Sequence, residues 1–289
     1  MKVTKVGSRG LVFSFEDPYL INIYVIAGSE HLFICDTGFG SETVDEILSY
    51  LKERSLLSKP IIAFNSHADY DHVWGNHMFT NSPIIAQELS PSIFEKEGEE
   101  LLKLYSSHKR GEVILTPPNK LFKEKLVFQE DDIEFYHTPG HTLESSSCYD
   151  RRDKILFVGD NIETPFPYIN FPNLKEYKST LEEYLTRNIT VLLSGHDKIM
   201  YDKNLIKENL DYLKQLENGS VDRSNFTKKH RRIHFLNVTR LGEMMKNANE
   251  IEKAKTYYKE ALTILNEFEP TQEIEEKKVE ISSIINEME

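Results

Sequence analysis

The sequence predicts an α/β chain built as a four-layer αββα sandwich with an α-helical C-terminal extension. Three observations predict it. Strand-like runs, an amphipathic helix and another strand follow one another up to about residue 67, and a second group of strands, a helix and a strand repeats that design before about residue 195. Strand signal then ceases, and the chain beyond about residue 219 reads only at helical spacing. Histidines and aspartates collect where apolar strand runs end.

The first half opens with LVFSF, YLINIYVIA and HLFICD, three β-rich runs separated by Asp17-Pro18 and Gly28-Ser29, which read as an antiparallel meander. A helix follows, with Ser41 as its N-cap and Val44, Ile47, Leu48 and Leu51 at helical spacing up to about Arg54. The strand PIIAFNS then runs to His67. Residues 87–109 form a Glu- and Lys-rich helical stretch carrying Leu101, Leu102 and Leu104, read as an insertion over the sheet's edge and closed by the TPP turn at 116–118. Strands return as KLVFQ, IEFYHT, SSSCYD and KILFVG; a helix at about 174–187 leads to TVLLS, and another spans about 202–217.

The polar stretch NGSVDRSN marks a boundary near 219–226, dividing a domain at 1–220 from an extension at 227–289. Within the extension, EIEKAKTYYKEALTIL, preceded by LGEMMKNANE, resembles one tetratricopeptide repeat, with Gly242, Ala254, Tyr258 and Ala261 near its small and aromatic positions. A single repeat cannot bury its own apolar face, so it is expected to dock on the main domain or on a second copy, giving a homodimer.

Composition excludes more than it names. A formal charge of −12 argues against nucleic-acid binding and against attraction to anionic membranes, and the run KKHRR at 228–232 reads as a solvated helix start. Small or neutral substrates fit that balance better. No apolar run is long enough to span a bilayer, and MKVTKVGSRG is not followed by a signal-type apolar core. With Cys35 and Cys148 read as buried reduced thiols, a cytoplasmic location is expected.

The informative stretch is SHADYDHVWGN at 66–76, where His67, Asp69, Asp71 and His72 crowd the end of a buried strand. Two imidazoles and two carboxylates placed there are costly unless hydrated or coordinated, and four such groups can serve two metals. His141 in HTPGHTLES, Asp160 in FVGDN and His196 in LLSGHDK each stand at or just past a strand's end. In this order after HxDxDH, they closely resemble the metallo-β-lactamase superfamily, whose loop reads HxHxDH followed by separated His, Asp and His. The turn CDTG at 35–38 and the run NIYVI at 22–26 look like that family too, and the resemblance covers about residues 10–200.

The resemblance implies a metal-dependent hydrolase with two divalent metals per chain. His67, Asp69 and His141 would bind the first, Asp71, His72 and His196 the second, and Asp160 would bridge. A metal-bridging hydroxide, oriented by Asp71, would be the nucleophile on a small-molecule ester, thioester, lactone, amide or phosphodiester. Asp69 stands where the common motif has a second histidine; an oxygen ligand hardens that site and moves preference from zinc toward iron or manganese. The same feature resembles the flavodiiron branch, so a non-haem diiron redox protein with an external flavin donor is the second reading. An interaction protein with a structural metal site is the third, and the cysteine-free ligand set matches it poorly.

Around the ligands, Trp74, His137, Phe166 and Tyr168 are the candidates for pocket walls. For Trp74 anchoring of the loop in the core is the favoured alternative, for His137 burial against a backbone carbonyl is an equal one, and for Phe166 and Tyr168, within ETPFPYINFP, a plain proline-stiffened connection is another. His77 reads as a turn histidine, and His31, His108, His230 and His234 as surface or helix residues without ligand-type company.

Overall fold

The computed structural model describes residues 1–288. Strands β1 (Lys2–Val6), β2 (Gly10–Phe15), β3 (Ile21–Ala27) and β4 (Leu32–Cys35) pair antiparallel in order, so the expected meander is present with one strand added before it. Helix α1 (Ser41–Glu53) returns the chain so that β5 (Ile61–Phe64) pairs parallel to β4. A one-turn helix α2 (Tyr70–Val73), strand β6 (Ile84–Gln87), helix α3 (Ser90–Leu104) and strand β7 (Lys120–Phe122) follow, and the last two strands extend the sheet in parallel to seven strands. The second sheet contains β8 (Lys125–Phe128), β9 (Ile133–His137), β10 (Ser146–Asp150) and β11 (Ile155–Phe157), all antiparallel. After helix α4 (Leu174–Thr186), β12 (Val191–Leu193) joins parallel to β11.

Period-2 alternation sorts each strand's side chains into two layers. Phe33 and Cys35 of β4, Phe64 of β5, Phe135 of β9, Cys148 of β10 and Phe157 of β11 fill the space between the sheets, with Phe64 and Phe135 stacked at 4.2 Å; both cysteines are free thiols there. The alternate residues face outward. Leu32 and Ile34 of β4 pack with Val44, Ile47 and Leu51 of α1, and Leu156 and Leu192 pack with α4 and with α5 (Asn204–Glu217). The order helix, sheet, sheet, helix is the αββα sandwich read from the sequence.

The extension consists of α6 (Lys228–Asn247), α7 (Ile251–Leu265) and α8 (Gln272–Glu287). Its Val238, Leu241, Tyr258, Ala261 and Ile281 join one apolar cluster with Leu210, Leu213 and Leu216 of α5, so the extension docks on its own chain. Gly242 lies where α6 and α7 meet, and a Cβ there would sit 3.1 Å from the Tyr258 ring. Among the described residues, no helix is long and apolar enough to cross a membrane.

Three local expectations are corrected. Ser41 is the first helical residue and Gly40 the N-cap; the Ser41 hydroxyl instead accepts from the Glu112 amide at 2.9 Å. The helical insertion does not cover the sheet's edge, which β7 forms; Phe94 of α3 packs on Ala68, Val73 and Trp74. Strands β1, β6 and β7 escape the pattern: β1 is a half-exposed edge whose polar residues mask its alternation, β6 is buried throughout and shows none, and β7 exposes two of its three residues.

Candidate metal centre

Parallel strands end together, and that is what gathers the site. The segments following β4, β5, β11 and β12 are tied end to end: the Asp36 amide donates to Phe64 O at 2.7 Å, and the Gly195 amide to Gly159 O at 2.8 Å. Across the two sheets, the Ser146 amide donates to Ser66 O at 2.7 Å. His67 and the α2 turn leave β5 here, Asp160 leaves β11, His196 leaves β12, and His141 sits in the β9–β10 connection.

All seven residues singled out in the sequence are brought together. Asp69 Oδ2 lies 3.1 Å from His141 Nε2 and 3.6 Å from His67 Nε2. Asp71 Oδ2 lies 3.3 Å from His196 Nε2. Asp160 stands between the two sets, with Oδ1 3.3 Å from His72 Nε2, and Oδ2 3.0 Å from His196 Nε2 and 3.8 Å from His67 Nε2. Three groups offer ligand atoms within 4.8 Å of one another: His67, Asp69 and His141; His67, His72 and Asp160; Asp71, His72 and His196.

Each imidazole is held from behind. Asp36 Oδ2 takes His72 Nδ1 at 2.7 Å, the Tyr168 carbonyl takes His141 Nδ1 at 2.8 Å, and the Leu20 carbonyl takes His196 Nδ1 at 2.7 Å. His67 Nδ1 lies 2.9 Å from the Ser66 hydroxyl. An acceptor at Nδ1 puts the ring proton there and turns the Nε2 lone pair into the shared space. His67 Nε2, His72 Nε2 and Asp160 Oδ1 are buried with no hydrogen-bond partner among the described residues, a cost that bound cations would offset. The residues therefore fit a divalent-metal site of mixed nitrogen and oxygen ligands.

The electrostatics agree. Burial alone would raise the three carboxyls, but the charges of His67 and His141 hold Asp69 well below the usual carboxylate range, and His196 and His72 do the same for Asp160. Asp71 is lowered by His72 and His196. Burial opposes charge on the imidazoles too, yet Asp160 and Asp71 lift His72 and His196 well above the ordinary value, and Asp69 lifts His141 to about 9. Protons on imidazoles thus supply the positive charge that cations would replace. The pH dependence follows from the sign: stability that the metal-free protein gains from His141 is complete below its unfolded value of 6.5 and is lost as pH rises through about 9. Thermal melts of metal-free protein should fall across that window, and melts of metal-loaded protein should not; equal slopes would contradict the charge balance.

Gly195 leaves no room to spare, since a Cβ there would sit 2.8 Å from His72 Cε1 and nearer still to Asp160 Oδ1. Gly195→Ala is expected to lower metal affinity about 10-fold or more by displacing Asp160, measured by competition with a chelating dye.

The four wall candidates are placed differently. Trp74 is 1% exposed and anchors the α2 turn against Phe94 rather than facing the opening. His137 Nε2 is tied to the Leu143 carbonyl at 2.7 Å, and Phe166 stacks on Tyr212 at 3.9 Å, under the docked extension. Tyr168 is half-buried and serves through its carbonyl. His77 contacts the Trp74 carbonyl at 3.2 Å and no ligand.

Several residues at the site are absent from the sequence reading or undervalued by it. Asp36, noted only within CDTG, binds Ser66 as well as His72. The Tyr19 hydroxyl donates to Asp71 Oδ2 at 2.9 Å and lies 2.5 Å from the Tyr70 hydroxyl, which lies 2.8 Å from His108 Nδ1. His108 is therefore linked to the metal loop, a contact that its reading as a surface or helix residue did not include. Glu163 is buried with one carboxyl oxygen unpartnered, and burial and the Asp160 charge push it up to about 8. None of these carries a ligand motif; the signals were the CDTG turn for Asp36 and, for Glu163, a carboxylate three residues past Asp160.

Comparison with known proteins agrees with this geometry. A family model described as Metallo-beta-lactamase superfamily matches residues 17–196. The human acyl-coenzyme A thioesterase MBLAC2 is 24% identical over 212 residues, spanning 63% of this chain and 75% of the relative. An N-acyl homoserine lactonase from Bacillus sp is 26% identical over 165 residues, spanning 53% of this chain and 62% of the relative. Among solved structures, a metallo-beta-lactamase from Pontibacter korlensis superposes with a TM-score of 0.59 at 20% identity, over 74% of this chain and 98% of the other.

Proposed function

Because the chain belongs to the metallo-beta-lactamase superfamily, we propose that it is a dinuclear metal-dependent hydrolase acting on a small thioester or lactone. The observation that carries this reading is the convergence of four back-braced imidazoles and three carboxylates on one space, with buried Nε2 atoms unpartnered. His67, Asp69 and His141 would hold one ion and Asp71, His72 and His196 the other, with Asp160 between them. Divalent metals bound there would acidify a water and polarise the scissile carbonyl. The chain's own task is orientation: Asp71, fixed by Tyr19 from one side and facing His196 on the other, accepts a hydrogen bond from the attacking water and aims it. Thioester and lactone come first among the bond classes because the relatives named above are a thioesterase and a lactonase.

Zinc is the first expectation for the metals, and the Asp69 oxygen makes iron or manganese the alternatives. That same carboxylate supports the diiron redox reading as the alternative. Elemental analysis of purified protein separates them. About two zinc or manganese ions per chain with hydrolysis of acyl-thioester or acyl-lactone panels is the expected result. About two irons with no hydrolysis, and reduction by a flavin donor, would replace it with the redox reading.

A further inference from the structure

Helix α6 lies directly on the segment that follows Asp160. Asn237, fully buried on α6, accepts from the Ile169 amide at 3.0 Å and donates to the Pro167 carbonyl at 2.9 Å. Lys229 Nζ donates to the Thr164 carbonyl at 2.9 Å, and Arg240 Nη1 to Asn170 Oδ1 at 2.6 Å. Asn170 is itself at the metal centre, with its amide nitrogen 3.4 Å from His141 Nε2. Arg240 is thus one side chain away from a ligand atom.

Lys229, Arg232 and Arg240 recur at i, i+3 and i+11, one face of the helix. Their neighbour Arg231 points elsewhere and pairs with Glu267 at 2.9 Å. Among the described residues, the three cations on this face have no carboxylate within ion-pair distance. Glu273, whose carboxyl feels the Arg232 charge, is engaged by Lys277 at 2.8 Å. The charges of Arg232 and Arg240 both act on the Tyr168 hydroxyl, and Glu163 acts on it from the buried side. In a chain of net charge −12, a cationic edge without carboxylate partners beside a metal site would attract an anionic group to that side of the opening.

We propose that Lys229, Arg232 and Arg240 form a recognition edge for an anionic group of the substrate, a phosphate or a carboxylate, and that the helical extension thereby sets substrate class. Guanidinium forks match both groups bidentately, and a lysine supplies a point charge beside them. This rests on the hydrolase reading, and it replaces the neutral substrates that overall composition suggested.

Two matched pairs of thioesters test it on the metal-loaded full chain. S-acetyl-4′-phosphopantetheine against S-acetylpantetheine differs by a phosphate; S-succinylpantetheine against S-butyrylpantetheine differs by a carboxylate. The expected result is a kcat/KM preference of about 10-fold or more for the anionic member of one pair, shrinking at high salt and in the Lys229→Gln/Arg232→Gln variant. The pair that shows it identifies the anion. Equal rates within both pairs, or a preference that the variant keeps, would overturn the proposal. Calorimetric binding of the same compounds keeps the two readings apart. If none is hydrolysed, the thioesterase form of the hydrolase reading fails, while the recognition edge stands or falls on whether an anionic member binds more tightly than its neutral partner.

Discussion

Asp71→Asn should lower kcat by about 10³-fold while the protein keeps its fold. The side chain is buried at the start of α2, takes the Tyr19 hydroxyl at 2.9 Å and faces His196 Nε2 at 3.3 Å. Asparagine preserves its volume and can still accept from Tyr19, so packing around the loop survives. What disappears is the negative charge that, in the proposed mechanism, would hold an attacking water in line and complete one ligand group. The check is kcat on the best thioester or lactone, with circular dichroism and metal content measured on the same sample. Turnover within about 10-fold of wild type would remove Asp71 from the orienting role.

Much of the architecture was legible because burial on both sides of a strand, or on one side of a helix, leaves a period in the chain. The runs that became β3, β4, β5 and β11 are long or apolar enough to show it, and ligand residues at their ends share one edge by topology. The bracing around those ligands is another matter. Asp36 meets His72 across 36 residues, Tyr19 meets Asp71 across 52, and the Leu20 carbonyl meets His196 across 176. No local pattern encodes such pairs, since each depends on how two sheets close on one another. The same blindness governs KKHRR, which is an ordinary solvated helix start until Thr164, 65 residues away, is folded against Lys229. Edge strand β7 fails for a simpler reason: two of its three residues are exposed, so no apolar run marks it.

Asp36 shows how much of the metal chemistry rests on such a distant partner, and its substitution has the largest expected effect on stability. The carboxylate is fully buried at φ 65, a left-handed position that aspartate and asparagine tolerate better than other side chains. Oδ1 accepts from the Ser66 amide at 2.7 Å; Oδ2 accepts from the Ser66 hydroxyl at 2.8 Å and from His72 Nδ1 at 2.7 Å. Asp36→Ala strands the Ser66 amide and one ring nitrogen in the interior, which should cost about 3–5 kcal/mol by urea denaturation of the metal-free protein. Asp36→Asn isolates a second effect. It keeps shape and backbone preference, but one of its two polar atoms is now a donor, and a donor facing Nδ1 drives the imidazole to carry its proton on Nε2. That nitrogen is the one aimed at the metal. The expected result is a folded protein whose affinity at the His72 site falls about 10- to 100-fold, read by metal titration. Wild-type affinity in Asp36→Asn would mean that Asp36 braces the loop without setting the tautomer, and the stability loss in Asp36→Ala would then be its whole contribution.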